Sequence, residues 1–216
     1  MVARGKSEFR RVASVETARE LERIVHGRWH GITFINGVNQ IPEGVGVKQA
    51  GRFCEAIKVA IAHKMMVRPS EFTCPGASYA FGGMVDVSEM MTERMVELKG
   101  YSPKSATHLI ENTPHFRQMP DMIGFNCMDQ PDILISQLQP EQAMKLLQLY
   151  HIKLGRSFRT EIPSVICACG NTVVRAYQSQ DLSISFGCDD SRAFGGLSRD
   201  RLYVGLPYSL ARTLVQ

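Results

Sequence analysis

The sequence predicts an α/β or α+β protein, a single globular domain built of two weakly repeated halves, and three observations carry that reading. Helical and strand-like apolar patterns alternate along the chain, a segment running from a cysteine to Ala-Phe-Gly-Gly occurs twice, and the composition is that of an ordinary folded domain. With 44% hydrophobic and 21% charged residues over 216 positions, the chain can bury roughly 70% of its unfolded surface. Disordered, collagenous and coiled-coil chains are excluded by that balance. The net charge of +4 permits nucleic acid as a partner without indicating it.

The elements follow in order. Thr17 to Glu20 has the form of a capping box before an apolar stripe at Leu21, Ile24 and Val25, which predicts a helix over about 14–26 ending near Gly27. Residues 1–28 are read as an N-terminal helical segment and 29–216 as the domain, with half-repeats at about 45–100 and 131–208. Glycine, β-branched residues and Pro42 between Gly31 and Gly46 suit short strands and turns, and Gly51 to His63 places apolar residues at helical spacing with Cys54 in the first turn. A helix over Ser88–Lys99 is stopped by Gly100, with Met90, Met91 and Met95 expected on its core face, and Ser102 caps another with Pro103 at its first position. Asn112 to Met128, carrying Pro114 and Pro120, reads as a long connection between the halves. Pro131 to Ile135 predicts a strand, and Pro140 opens a helix with Ala143, Leu146, Leu147, Tyr150 and Leu154 on one face. Helices are expected about Ser164–Ala176 and Tyr208–Val215, and strands at Ser183–Phe186 and Leu202–Leu206.

The internal comparison bears most on function. Five residues separate Cys74 from Ala80 to Gly83, and four separate Cys188 from Ala193 to Gly196, both tetrapeptides reading Ala-Phe-Gly-Gly. Cys54 precedes Cys74 by 20 residues and Cys167 precedes Cys188 by 21. Two copies of one unit packed about a pseudo-two-fold axis bring equivalent positions together, so Cys54, Cys74, Cys167 and Cys188 are expected to converge. Pro75 puts Cys74 at a helix N-cap, where free N–H groups stabilise a thiolate, and Cys188 is expected to sit similarly with Arg192 reinforcing the field. Cys169 could replace Cys167 as a ligand or act as a reserve thiol, but is expected to be merely buried, and Cys127 is expected to be a core residue.

Paired spacings such as C-x-x-C are missing, which disfavours structural zinc fingers and ferredoxin runs. Four dispersed thiolates still suit an iron-sulfur cluster, 4Fe-4S above all, with zinc second. The glycine turns Gly82, Gly83, Gly195 and Gly196 would allow close backbone approach, and Arg52 and Arg192 are candidates to hold a small anionic ligand. A redox partner is the other partner class. Two further readings stand beside this one: a non-enzymatic small-molecule binding or assembly module with structural cysteines, and a metal-free cysteine nucleophile using His63 or His151 as base. His26 and His30 have i, i+4 spacing, but Gly27 breaks the helix between them and argues against a metal pair. The basic residues Arg4, Lys6, Arg10 and Arg11 lead no apolar segment, and a cytoplasmic protein without a membrane span is expected.

Arg52 to Ala56, Cys74 to Ala77 with Ala80 to Gly82, Pro131 to Ile135, Pro140 to Met144, Cys167 with Ala168, and Phe186 to Cys188 with Arg192 resemble domain-of-unknown-function family 169 over about residues 30 to 208. That family, found in archaea and anaerobic bacteria, has no established activity. The resemblance implies cysteines at the positions of Cys54, Cys74, Cys167 and Cys188. In the family an acidic residue is common where this chain has Cys169, and a further cysteine often follows the one matching Cys188, where this chain has Ser191 or a neighbour.

Overall fold

The computed structural model describes residues 16–37, 44–83 and 87–216. Pro42 and the basic cluster Arg4, Lys6, Arg10 and Arg11 therefore lie outside the described residues. Seven strands, β1 (His30–Ile35), β2 (Gly46–Val47), β3 (Met65–Val67), β4 (Met122–Phe125), β5 (Ile133–Leu138), β6 (Ser183–Ser185) and β7 (Leu202–Pro207), form one sheet in the order β2-β3-β4-β1-β5-β7-β6. Pairing is antiparallel except between β2 and β3. Ile32 in β1 is in register with Phe125 on one side and Ile133 on the other, so the centre of the sheet is a buried apolar row.

Both faces of the sheet are covered, which is why β5 reads as an almost unbroken apolar run. Ile133 and Ile135 face one layer while Leu134 and Leu138 face the other. The second layer holds α1 (residues 16–25), α6 (Pro140–Leu154) and α9 (Tyr208–Val215), packed through Leu21, Leu146, Tyr150 and Leu214. The first layer holds α2 (Phe53–Ala60), α3 (Pro75–Ala80), α4 (Val87–Lys99), α5 (Pro103–Glu111), a π-helix (Cys167–Val174) running into α7 (Arg175–Ser179), and α8 (Asp189–Ala193). The architecture is α/β. Among the described residues no helix is long and apolar enough to cross a membrane.

The cap expected at Ser102 is present, whereas Thr17 already lies within α1, and the box that starts α6 was not expected. Ser102 accepts from Ser105 N at 3.1 Å to start α5, and Gln139 and Gln142 form a reciprocal box at the start of α6. Three expectations need correction. Asn112 to Met128 is more than a connection, because it contains β4, which pairs with both β1 and β3. The helix expected about Ser164–Ala176 is wound as a π-helix over most of its length. Of the three α4 methionines only Met95 is buried, with Met91 packed beside the core and Met90 38% exposed.

The strand order reads alike from both flanks once β2 is set aside. It is β3-β4-β1 from one side and β6-β7-β5 from the other, and each triplet occurs along the chain in the order inner, outer, middle. In each flank a cysteine-bearing helix precedes the outer strand and a short helix capped by a cysteine follows it. Helices α4 and α5 belong to the first flank alone, and α6 to the second.

Candidate thiol site

All the cysteine-bearing helices pack on one face of the sheet, and this brings the sulfurs together. Cys54 lies in the first turn of α2 with Phe53, Ala56, Ile57 and Ala60 buried around it. Cys74 is the N-cap of α3, with Pro75 at the first helical position, and Cys188 is the N-cap of α8. Cys167 and Cys169 stand on the π-helix, whose entry is strained: Ile166 holds φ 48° and ψ 44°, a left-handed conformation uncommon for a β-branched side chain. Asn171 fixes that entry. Its Nδ2 donates to Val165 O at 2.8 Å, its backbone N donates to Ile166 O at 3.0 Å, and its Oδ1 accepts from Arg175 at 2.8 Å.

A cavity of about 280 Å³ opens among these elements, lined by Cys54, Cys74, Cys169 and Cys188. Its remaining wall is largely apolar, with Phe53, Pro75, Met91, Met95 and Ile166, while Arg94 and Lys99 stand in its lining from α4. Cys167 is fully enclosed behind Cys188 and is not part of the lining. Two positions apart on one helix, the two thiols point to different sides. Cys127, after β4, packs against Gly124 and takes no part in this cavity. All six cysteines are free thiols.

Asp190, which sequence reasoning did not single out, ties the cluster together. The Cys54 thiol donates to its backbone carbonyl at 3.6 Å, the Cys74 thiol donates to its Oδ2 at 3.7 Å, and Arg52 pairs with the same Oδ2 at 3.4 Å. Arg52 also lies 3.8 Å over the ring of Phe194, the phenylalanine of the second Ala-Phe-Gly-Gly. Arg192 donates to the carbonyls of Phe186 and Ser198 at 2.7 and 2.9 Å. Neither arginine lines the cavity, and both brace the α8 loop. Lys99 pairs with Asp189 across the mouth.

The glycine turns meet protein atoms. A side chain at Gly195 would come within 2.7 Å of Cys54 Cβ and 2.8 Å of Ser191 O, so its absence is what lets the α8 turn close onto α2. Gly196 abuts the Lys58 side chain, Gly82 the backbone of Phe116, and Gly83 the hydroxyl of Ser78. The left-handed residue is Gly82 in the first copy and Gly196 in the second, so the two turns are not conformationally identical.

The thiols divide electrostatically. Cys188 is held down to about 5, chiefly by a hydrogen bond from Cys167 and then by Ser191, whose hydroxyl is 3.3 Å away and whose N–H also points to the sulfur; these outweigh burial. Arg192 is not among the causes. Burial pushes Cys54 up to about 12, with Cys188, Cys74 and Asp190 adding repulsion. Cys169 is driven well above the ordinary thiol range by burial, and Cys167 is driven up by giving its proton to the Cys188 interaction. The expectation that Cys74 is ionised fails because desolvation exceeds the help from the N–H groups of Ala77 and Gly76. In the metal-free protein, iodoacetamide should therefore modify Cys188 ahead of the other five, at a rate that falls as pH drops through about 5. Peptide mapping by mass spectrometry checks this, and first labelling at Cys74 or Cys127 would contradict it.

Among the described residues no three His, Cys, Asp or Glu side chains are arranged as a ready metal cage. No histidine lines the cavity: His151 accepts from Phe158 N on α6 in the opposite layer, and His63 follows α2. No solved structure matches this chain. It is similar to an uncharacterised protein of Methanocaldococcus jannaschii, 24% identical over 189 residues, which cover 82% of this chain and 80% of that protein. Residues 30–216 match domain-of-unknown-function family 169, described as uncharacterised ArCR, the stretch that contains every strand and all six cysteines. The chain belongs to that family.

Proposed function

We propose that this is a cytoplasmic protein that holds an iron-sulfur cluster through Cys54, Cys74, Cys169 and Cys188, between two like units of the chain. The observation that carries the reading is the lining of one cavity by four thiols drawn from α2, α3, the π-helix and α8. The matched flanks of the sheet support the duplication, since each unit contributes one helix cysteine and one cap cysteine. Cys169 takes the place of Cys167 because it faces the cavity, whereas Cys167 serves Cys188 from behind.

The donor set fits in kind. Thiolates are the ligands such clusters take, Cys188 is held below the ordinary thiol range, and the burial and mutual repulsion that raise Cys54, Cys74 and Cys169 are opposed by a bound cation. Loading must release protons, because thiols bind metal only when deprotonated. When bound, the cluster supplies one-electron transfer or a Lewis-acidic iron. The chain's own part is to exclude water with Phe53, Met95 and Ile166, to hold the Cys74 thiol on Asp190 before loading, and to fix α8 against α2 through Arg52.

A metal-free nucleophile at Cys188 is the competing reading, supported by its ionised thiol but lacking a histidine base in the cavity. Anaerobic reconstitution with ferrous iron and sulfide separates the two. The expected product is brown, with broad visible absorption and about four irons and four sulfides per chain. Colourless, iron-free protein that keeps its far-UV circular dichroism would end the cluster reading.

A further inference from the structure

A second cavity, of about 290 Å³, lies at the opposite end of α2 from Cys54 and has a different chemistry. Its basic lining comes from the link between α1 and β1, through His26, Arg28 and His30, and from Arg201 just before β7. No aspartate or glutamate lines it. Arg28 makes no ion pair among the described residues, and Arg201 donates to the Gln137 carbonyl at 2.9 Å without a salt bridge. Three carboxylates stand outside the lining: Glu22 accepts from Trp29 N at 3.4 Å, Glu141 pairs with Lys145 at 3.0 Å and is lowered also by His26, and Asp200 accepts from Ser198 and Gln139 and is lowered also by Arg201.

The link that carries the basic residues is held in a fixed shape. His26 has φ 59°, a left-handed conformation, and its carbonyl accepts from Gln142 Nε2 at 2.5 Å. The Arg28 carbonyl accepts from the Ser136 hydroxyl at 2.6 Å. Gly27 packs so closely on Leu138 that a Cβ would lie 2.1 Å from its Cδ2. Arg28 and Arg201 are thus set around a space lined by no carboxylate, with His26 and His30 beside them, an arrangement that an anion complements. Burial, and then the charge of Arg28, lower the pKa of His30, which disfavours its charged form. Ile57, Ile61 and Ile135 form an apolar part of the same wall.

We propose that this cavity binds a small phosphate-bearing metabolite, with the phosphate on the guanidiniums of Arg28 and Arg201 and the remainder of the molecule against Ile57, Ile61 and Ile135. Planar guanidiniums match phosphate oxygens in pairs, and the isoleucine wall favours an ester with an apolar body over the free anion.

Calorimetric titration of the full chain with phenyl phosphate and, separately, with inorganic phosphate tests this. Saturable binding of phenyl phosphate, tighter than that of inorganic phosphate, is expected. Arg28→Gln should weaken it about 10- to 100-fold, and Cys188→Ser should leave it unchanged. Arg201→Gln should weaken it similarly, with its melting curve recorded because this arginine also braces Gln137. Absence of saturable binding, equal affinity for inorganic phosphate, or an affinity unmoved by either arginine substitution would overturn the proposal.

Discussion

Cys169→Ala should abolish iron binding in the anaerobically reconstituted chain, while Cys167→Ala should leave the iron content near that of the unaltered protein. The two residues are neighbours but one apart on the same π-helix, and only Cys169 reaches the cavity wall. Cys167 has a different task. Its thiol donates to the Pro163 carbonyl at 3.5 Å, and its place beside the Cys188 sulfur is the first cause that holds Cys188 below the ordinary thiol range. Removing it should raise the Cys188 pKa from about 5, which moves the pH profile of alkylation to more alkaline values. Iron analysis of both variants, with labelling of the metal-free forms, checks the pair of effects. Iron retained in Cys169→Ala and lost in Cys167→Ala would reverse the ligand assignment.

Asn171→Ala should destabilise the protein by about 2–4 kcal/mol, because it strips hydrogen bonds from the carbonyls of Val165 and Ile166 and from Arg175 in a site closed to water. The side chain is completely buried and spans the turn in which Ile166 is held left-handed. Without it, the backbone carbonyl of Val165 loses its side-chain partner, and Arg175 is left with only the exposed Glu161 at 3.5 Å. The wide turn that places Cys169 should then relax, so the variant should also load less iron than the loss of stability alone accounts for. Urea denaturation of the metal-free variant measures the first effect. A change below about 1 kcal/mol would mean that the π-turn is held by packing instead.

What could be read in the chain follows from how locally each feature is encoded. Helix α6 announces itself through Pro140, the apolar stripe and Gly155, which ends it in the left-handed conformation. Strands β5 and β7 are six residues long and apolar on both faces, and they too were recognisable. By contrast β3 and β4 span three and four residues, too short to display a period, and exist because pairing rewards them, β4 on β1 and β3 on β4. Pro75 pointed to Cys74 as a cap, and Cys188 was expected to sit similarly, because that geometry is set within a few residues.

The charge state of those caps was less accessible. Cys74 and Cys188 share a local setting, yet only Cys188 ionises, since burial and the partners supplied by Cys167 and Ser191 are tertiary facts. The same holds for the choice between Cys167 and Cys169, which depends on a helix wound more loosely than its residues advertise. Asp190 carries no signal of its own: its role arises from two thiols donated by a distant part of the chain.

The boundary strands of the sheet have a consequence for behaviour in concentrated solution. Its two margins are β2 and β6, of two and three residues, while the six-residue strands β1, β5 and β7 are paired on both sides. A neighbouring copy therefore finds almost no open ladder on which to register, and the free amide and carbonyl groups of a wide apolar sheet are kept from templating fibrils.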